Sequence, residues 1–154
     1  MPTFTTDIAA AQQDYRGLQK RPDAAKVTGK YGILESVYTS TGAEAAGDII
    51  DIGAIPEGAV VIPEESAITC EAMGGTGTAV ATVGDSADAD RYSATAVALT
   101  SAARTALTPA LATSIITRTP VTAETATIKA VLALTSGAVT AAKKIVFTIK
   151  FRHP

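Results

Sequence analysis

The sequence predicts an all-β chain, an antiparallel β-sandwich that is jelly-roll-like and carries an extended N-terminal arm. Three observations lead there. From residue 31 onward, β-branched and Thr-rich runs recur at spacings of about 8 to 15 residues, with Gly and Pro turns between them. The last run alternates apolar and polar residues with a period of two, the pattern of a strand with one buried face. No stretch repeats an apolar face at helical spacing over more than a turn or two.

Taken in order, residues 1–29 read as the arm and residues 30–154 as the sandwich domain. The arm is polar, with Ala9 to Gln13 its one helical turn and Arg21-Pro22-Asp23 and Thr28-Gly29-Lys30 as breakers. Fully extended it would reach on the order of 100 Å, against a domain radius of gyration of about 15 Å. Such a segment suits a strap that orders on a neighbouring subunit. Tyr31–Thr39 is the first strand, ended by Ser40-Thr41-Gly42, and Asp48–Gly53 the second. Ala59–Ile62 follows between Pro56 and Pro63, then Ser66–Met73. Gly74-Gly75-Thr76-Gly77 reads as a hairpin turn into Thr78–Val83. Segments 92–99, 113–118 and 121–134 come next. In 144–152, Ile145, Phe147, Ile149 and Phe151 alternate with Val146, Thr148, Lys150 and Arg152. Ser101-Ala102-Ala103-Arg104 and Ala141-Ala142-Lys143 have helical propensity but are too short to change the class.

The 154 residues suffice for one domain. The core they supply is thin. Ile, Val, Leu and Phe total 34, about 22% of the chain, while 31 residues are Ala and 23 are Thr. An Ala methyl removes far less area from water than a Leu or Phe side chain, and there is no Trp. Part of the burial is therefore expected between chains, with an isolated monomer of marginal stability.

Scarce residue types exclude much chemistry. The single Cys, Cys70, forbids an intrachain disulfide or a thiolate zinc site, and in Ala67-Ile68-Thr69-Cys70 it reads as a small buried hydrophobe. His153 is the sole imidazole and reads as a solvated tail residue, around which no Ser-His-Asp or Cys-His pairing assembles. The first residues lack the basic and apolar regions of a signal peptide, and no run approaches 18 apolar residues. A soluble protein made in a cytoplasm is expected, with no membrane partner.

Charge is segregated along the chain. Residues 1–30 carry a net +2, residues 31–90 hold eleven acids and no base, and residues 91–154 hold eight bases against Glu124. A pI near 5.3 argues against a nucleic-acid-coating role. Either acidic and basic strands lie side by side and neutralise each other, or the subunit has an acidic and a basic face for complementary docking.

Three local motifs could carry chemistry. Asp85, Asp88 and Asp90 form a dense acidic loop able in principle to ligate Ca²⁺, but they lack the Gly and distal Glu of an EF-hand. A solvated turn that bonds its own backbone is the expectation. Gly74–Gly77 superficially matches a phosphate loop, yet no Lys-Ser or Lys-Thr follows. Glu64 and Glu65 are adjacent, so on a strand they would point to opposite faces and make a poor acid/base pair. No enzyme, catalytic residue, cofactor or metal site is predicted.

The layout resembles that of structural proteins of tailed bacteriophages, specifically capsid decoration (cement) proteins and related head or tail accessory subunits. The residues that carry the resemblance are Gly47-Asp48-Ile49-Ile50-Asp51-Ile52-Gly53-Ala54-Ile55-Pro56-Glu57-Gly58-Ala59-Val60-Val61, the following Gly/Thr turn, Ala81 to Tyr92, and the last strand, Lys144 to Phe151. The resemblance implies a β-sandwich subunit, often a homotrimer. It would bind the outer surface of the head over contacts between major capsid subunits and help the shell resist internal pressure. The expected partner is thus the major capsid protein, and the expected location the virion. A tail, neck or fibre subunit is the nearest alternative. A carbohydrate-binding adhesive module is disfavoured by the scarcity of aromatic platforms.

Overall fold

A computed structural model describes residues 3–5, 31–74, 77–109, 120–134 and 139–153. Ten strands run in chain order: β1 (Thr3–Thr5), β2 (Tyr31–Thr39), β3 (Ile49–Ala54), β4 (Val60–Val61), β5 (Ala67–Cys70), β6 (Ala79–Gly84), β7 (Val97–Ala98), β8 (Ala103–Ala106), β9 (Thr127–Leu134) and β10 (Lys144–Arg152). One sheet has the order β2-β10-β5-β8, with β4 also on β10, and the other β1-β3-β9-β6-β7. All pairings are antiparallel except β1 on β3. With β1 and β4 set aside, consecutive strands among the remaining eight lie in opposite sheets, except β6 and β7, which pair within one sheet. That is jelly-roll topology.

Periodicity explains which strands form. In β10, Ile145, Phe147, Ile149 and Phe151 are buried and the intervening residues face outward. β2 alternates in the same way, burying Gly32, Leu34, Ser36 and Tyr38. These inner faces meet Ile50 and Ile52 of β3, Ala79, Ala81 and Val83 of β6, and Ile128, Ala130 and Leu132 of β9 in one continuous core. Each large side chain so buried is worth about 1.5–3 kcal/mol relative to exposure. Ala79, Ala81 and Ala130 sit within this core, on the inner faces of β6 and β9, while most of the other described alanines are exposed. Register slips at one place in β3, between Asp51 and Gly53. Gly53 there has φ +149°, a backbone conformation open to glycine and strained for other residues.

Several sequence expectations are corrected. Gly74 to Gly77 does not join a hairpin, because β5 and β6 belong to different sheets; Gly75 and Thr76 themselves lie outside the described residues. Of Ser101-Ala102-Ala103-Arg104, given helical propensity, the last two open β8 (Ala103–Ala106), since pairing along β5 satisfies the backbone that a one-turn helix would leave open. Ala141 and Ala142 sit in a turn, with Ala142 at φ +61°. The 92–99 run is extended only at β7, and residues 121–126 precede β9 as a turn rather than joining it. Thr3–Thr5, read as part of the arm, pairs with β3. The rest of the arm, including Ala9 to Gln13, and segment 113–118 lie outside the described residues.

Candidate interaction surface

The strand directions divide the loops between two ends of the sandwich. Loop residues 40–48, 71–74, 77–78, 99–102 and 139–143 share one end, with Ser40 bonded to Lys143 and Thr140, and Met73 to Leu99 and Thr140. Loops 55–66, 85–96 and 120–126 share the other, together with the start of β2 and the end of β10. A buried carboxylate organises a loop at each end.

At the first end Glu44 accepts hydrogen bonds from Tyr38 Oη at 2.6 Å, Thr41 N at 2.5 Å, Thr41 Oγ1 at 3.1 Å and Gly42 N at 3.0 Å. Burial raises the Glu44 carboxyl, but these donors outweigh it and hold the group below its ordinary value. The Tyr38 phenol is pushed upward, by burial first and then by Glu44. Asp48, also buried, accepts from Ala45 N at 2.7 Å.

At the other end Asp85 does the equivalent work. Its Oδ1 accepts from the amides of Ala87 (2.9 Å) and Asp88 (3.1 Å), and its Oδ2 accepts from Tyr92 Oη (3.1 Å) and faces Arg91 Nε (3.1 Å). The turn bonds its own backbone as expected, but Asp85 is buried rather than solvated. Burial and the Asp85 charge push the Tyr92 phenol upward. Asp88 and Asp90 are exposed; the hydrogen bond that a protonated Asp90 donates to Asp88, and then the like charge of Asp88, raise the Asp90 carboxyl. Both Asp85 oxygens are thus engaged within the protein, and the described residues contain no cluster of three metal-ligating side chains.

The other candidates are dispersed. Cys70 is buried in β5, its Sγ 3.4 Å from the Ser101 carbonyl. Glu64 and Glu65 lie in a 3-10 turn, Pro63–Glu65, rather than on a strand, and Glu65 pairs with Lys150 at 3.3 Å. His153 is half-buried, not a solvated tail residue, because its ring packs edge-on against Phe151 with centroids 5.4 Å apart. No helix among the described residues is long and apolar enough to cross a membrane.

Charge sorts by surface. Strand register places Lys144, Lys150 and Arg152 of β10, Arg104 of β8 and Glu35 of β2 on the outer face of the β10 sheet. The outer face of the β9 sheet is neutral, with Asp51 directly opposite Lys129 among Ile49, Val80, Thr82 and Val131. Exposed carboxylates gather in loops at the end where β2 begins: Glu57, Glu64, Glu65, Asp88, Asp90 and Glu124. Both sequence expectations therefore hold in part. Asp85–Arg91 and Glu65–Lys150 neutralise each other locally, and a basic sheet face survives. This face was missed in sequence because it depends on which strands are neighbours.

No protein-family model matches the chain, and no curated protein matches it. Two solved structures do. A chain in the capsid of Ralstonia phage GP4 is similar over 99% of this chain and 99% of its own, with a TM-score of 0.67 and 20% identity. A chain in the cyanophage Pam1 capsid asymmetric unit is similar over 88% of this chain and 96% of its own, with a TM-score of 0.50 and 21% identity. What they share with this chain is the fold. The Ralstonia phage likeness extends over nearly the full length of both chains.

Proposed function

We propose that this chain is a structural virion subunit of a tailed phage, a capsid decoration protein that binds the outer surface of the head. There it stabilises contacts between major capsid subunits, as a homotrimer and without catalysis. The observation that carries the reading is the end-to-end likeness to a chain of the Ralstonia phage GP4 capsid. The interior chemistry is consistent with it, since Glu44 and Asp85 spend their hydrogen-bonding capacity on the protein's own loops.

The test is co-sedimentation of the purified protein with expanded, undecorated capsids of the phage that encodes it. Saturable binding at a fixed stoichiometry is expected, and its absence overturns the decoration role. Light scattering of the free and shell-released protein measures the oligomer, for which three times 15.6 kDa is expected.

A further inference from the structure

Tyr31 and Ile33 are the two exposed large hydrophobic residues among the described residues, at 60% and 55% exposure. They stand two apart on β2, hence on the same side of the sheet. Directly across on β10 lie Arg152 and Lys150. Lys150 is tied to Glu65, whereas Arg152 forms no ion pair with a carboxylate of the described residues. Exposed Tyr beside exposed Arg is the composition that dominates binding energy when a partner covers it.

We propose that the outer face of the β10 sheet, centred on Tyr31, Ile33, Lys150 and Arg152, docks on an acidic, partly apolar protein surface. On the function proposed above, on which this inference rests, that surface belongs to the capsid shell.

Charge decides the chemistry of the partner. Lys150 is offset by Glu65 and Lys144 has Glu71 beside it, but Arg104 and Arg152 form no ion pair with a carboxylate of the described residues, and with only Glu35 elsewhere on this outer face they call for a carboxylate-bearing surface opposite. Two other occupants fit less well. The residues preceding β2 end at Tyr31, but 6–30 carry five bases and three acids and so share the sign of the face. A second copy joined edge to edge through β2, in the register centred on the strand, would place Glu35 opposite Glu35, and like charges directly opposite destabilise a strand pair.

The test compares wild type with Tyr31→Thr/Ile33→Thr, which keeps β-branched residues on the strand, and with Arg104→Glu/Arg152→Glu. Binding to undecorated expanded capsids is measured by sedimentation, and the fold is checked by circular dichroism and thermal melting. The apolar pair should weaken shell binding by about tenfold or more while the melting profile is retained. The charge pair should weaken it several-fold at low ionic strength, with the difference shrinking in about 0.5 M salt. Equal affinity for wild type and both variants overturns the proposal while leaving the decoration role intact. A fall in oligomer mass with unchanged shell affinity assigns the face to a second copy and overturns it as well. If wild type itself fails to bind, the functional reading fails and this inference falls with it.

Discussion

Removing the Glu44 carboxylate should cost more than any surface substitution and should also change the acid stability of the protein. Its four donors comprise the Tyr38 hydroxyl, buried with it, the Thr41 hydroxyl and two loop amides that can turn partly to water. Hydrogen bonds to a charged acceptor net about 1.5–3 kcal/mol each, and a buried donor left without one costs about 1–3 kcal/mol. With the amides rescued by solvent, Glu44→Ala should lose about 2–4 kcal/mol at pH 7. Glu44→Gln keeps one acceptor oxygen but turns an N–H₂ toward donors, so about 1–2 kcal/mol is expected. The pH dependence separates the charge from the packing. The folded carboxyl is held below its ordinary value of 4.5, so its stabilisation is complete above about pH 4.5 and is lost as pH falls through the folded value. Glu44→Gln cannot titrate, so the gap between wild type and this variant should close on acidification. Urea denaturation at a series of pH values from about 7 down to 3 measures both effects. A gap that stays constant across that range, or a Glu44→Ala variant within about 0.5 kcal/mol of wild type, would refute the reasoning.

Three further outcomes are expected. Phe147→Ala empties a fully buried position on β10 and should destabilise by about 3–5 kcal/mol in the same urea assay. Gly84→Ala drives a methyl into the backbone of Asp88 and Ala89, which cannot move aside as a side-chain tip can; a loss of about 2 kcal/mol or more is expected, with the Asp85 turn loosened first. Ser36→Ala removes a buried hydroxyl that has no hydrogen-bond partner, on β2 opposite Phe147, and should be neutral or stabilising by about 1 kcal/mol.

The strands that were legible in the sequence are those with one buried face. Tyr31–Thr39 and Lys144–Arg152 write their burial as strict alternation, which depends only on the pleat. β8 was hidden because Ala103 and Ala106 speak for a helix locally, while its register with Ala67 and Cys70 is settled by distant residues. The turn Gly74–Gly77 misled for a related reason: turn chemistry marks a reversal but does not say whether the next strand returns to the same sheet. At the candidate surface, the exposed Tyr31 and Ile33 follow from the phase of β2, and the cations of β10 from its own alternation. That Arg152 lies beside Tyr31, and Arg104 on the same face, could not be read locally, since it needs the pairing of strands far apart in sequence. Asp85 was visible as part of an acidic loop, but its role as an internal acceptor appears only when Tyr92 and Arg91 fold back onto it.

The place of β10 bears on synthesis as well as on the folded state. Of the ten described strands, the last to leave the ribosome is the one that β2, β4 and β5 all pair with. Until residue 152 has emerged, one sheet has no centre, and β2 and β5 have no strand between them to hold Leu34, Tyr38 and Ile68 over the core. Pairing between distant segments is slow to form, so the nascent chain should wait unfolded until β10 has emerged and then complete its sandwich in a single late event. A stop codon within β10 would then yield an aggregation-prone product rather than a slightly shorter subunit.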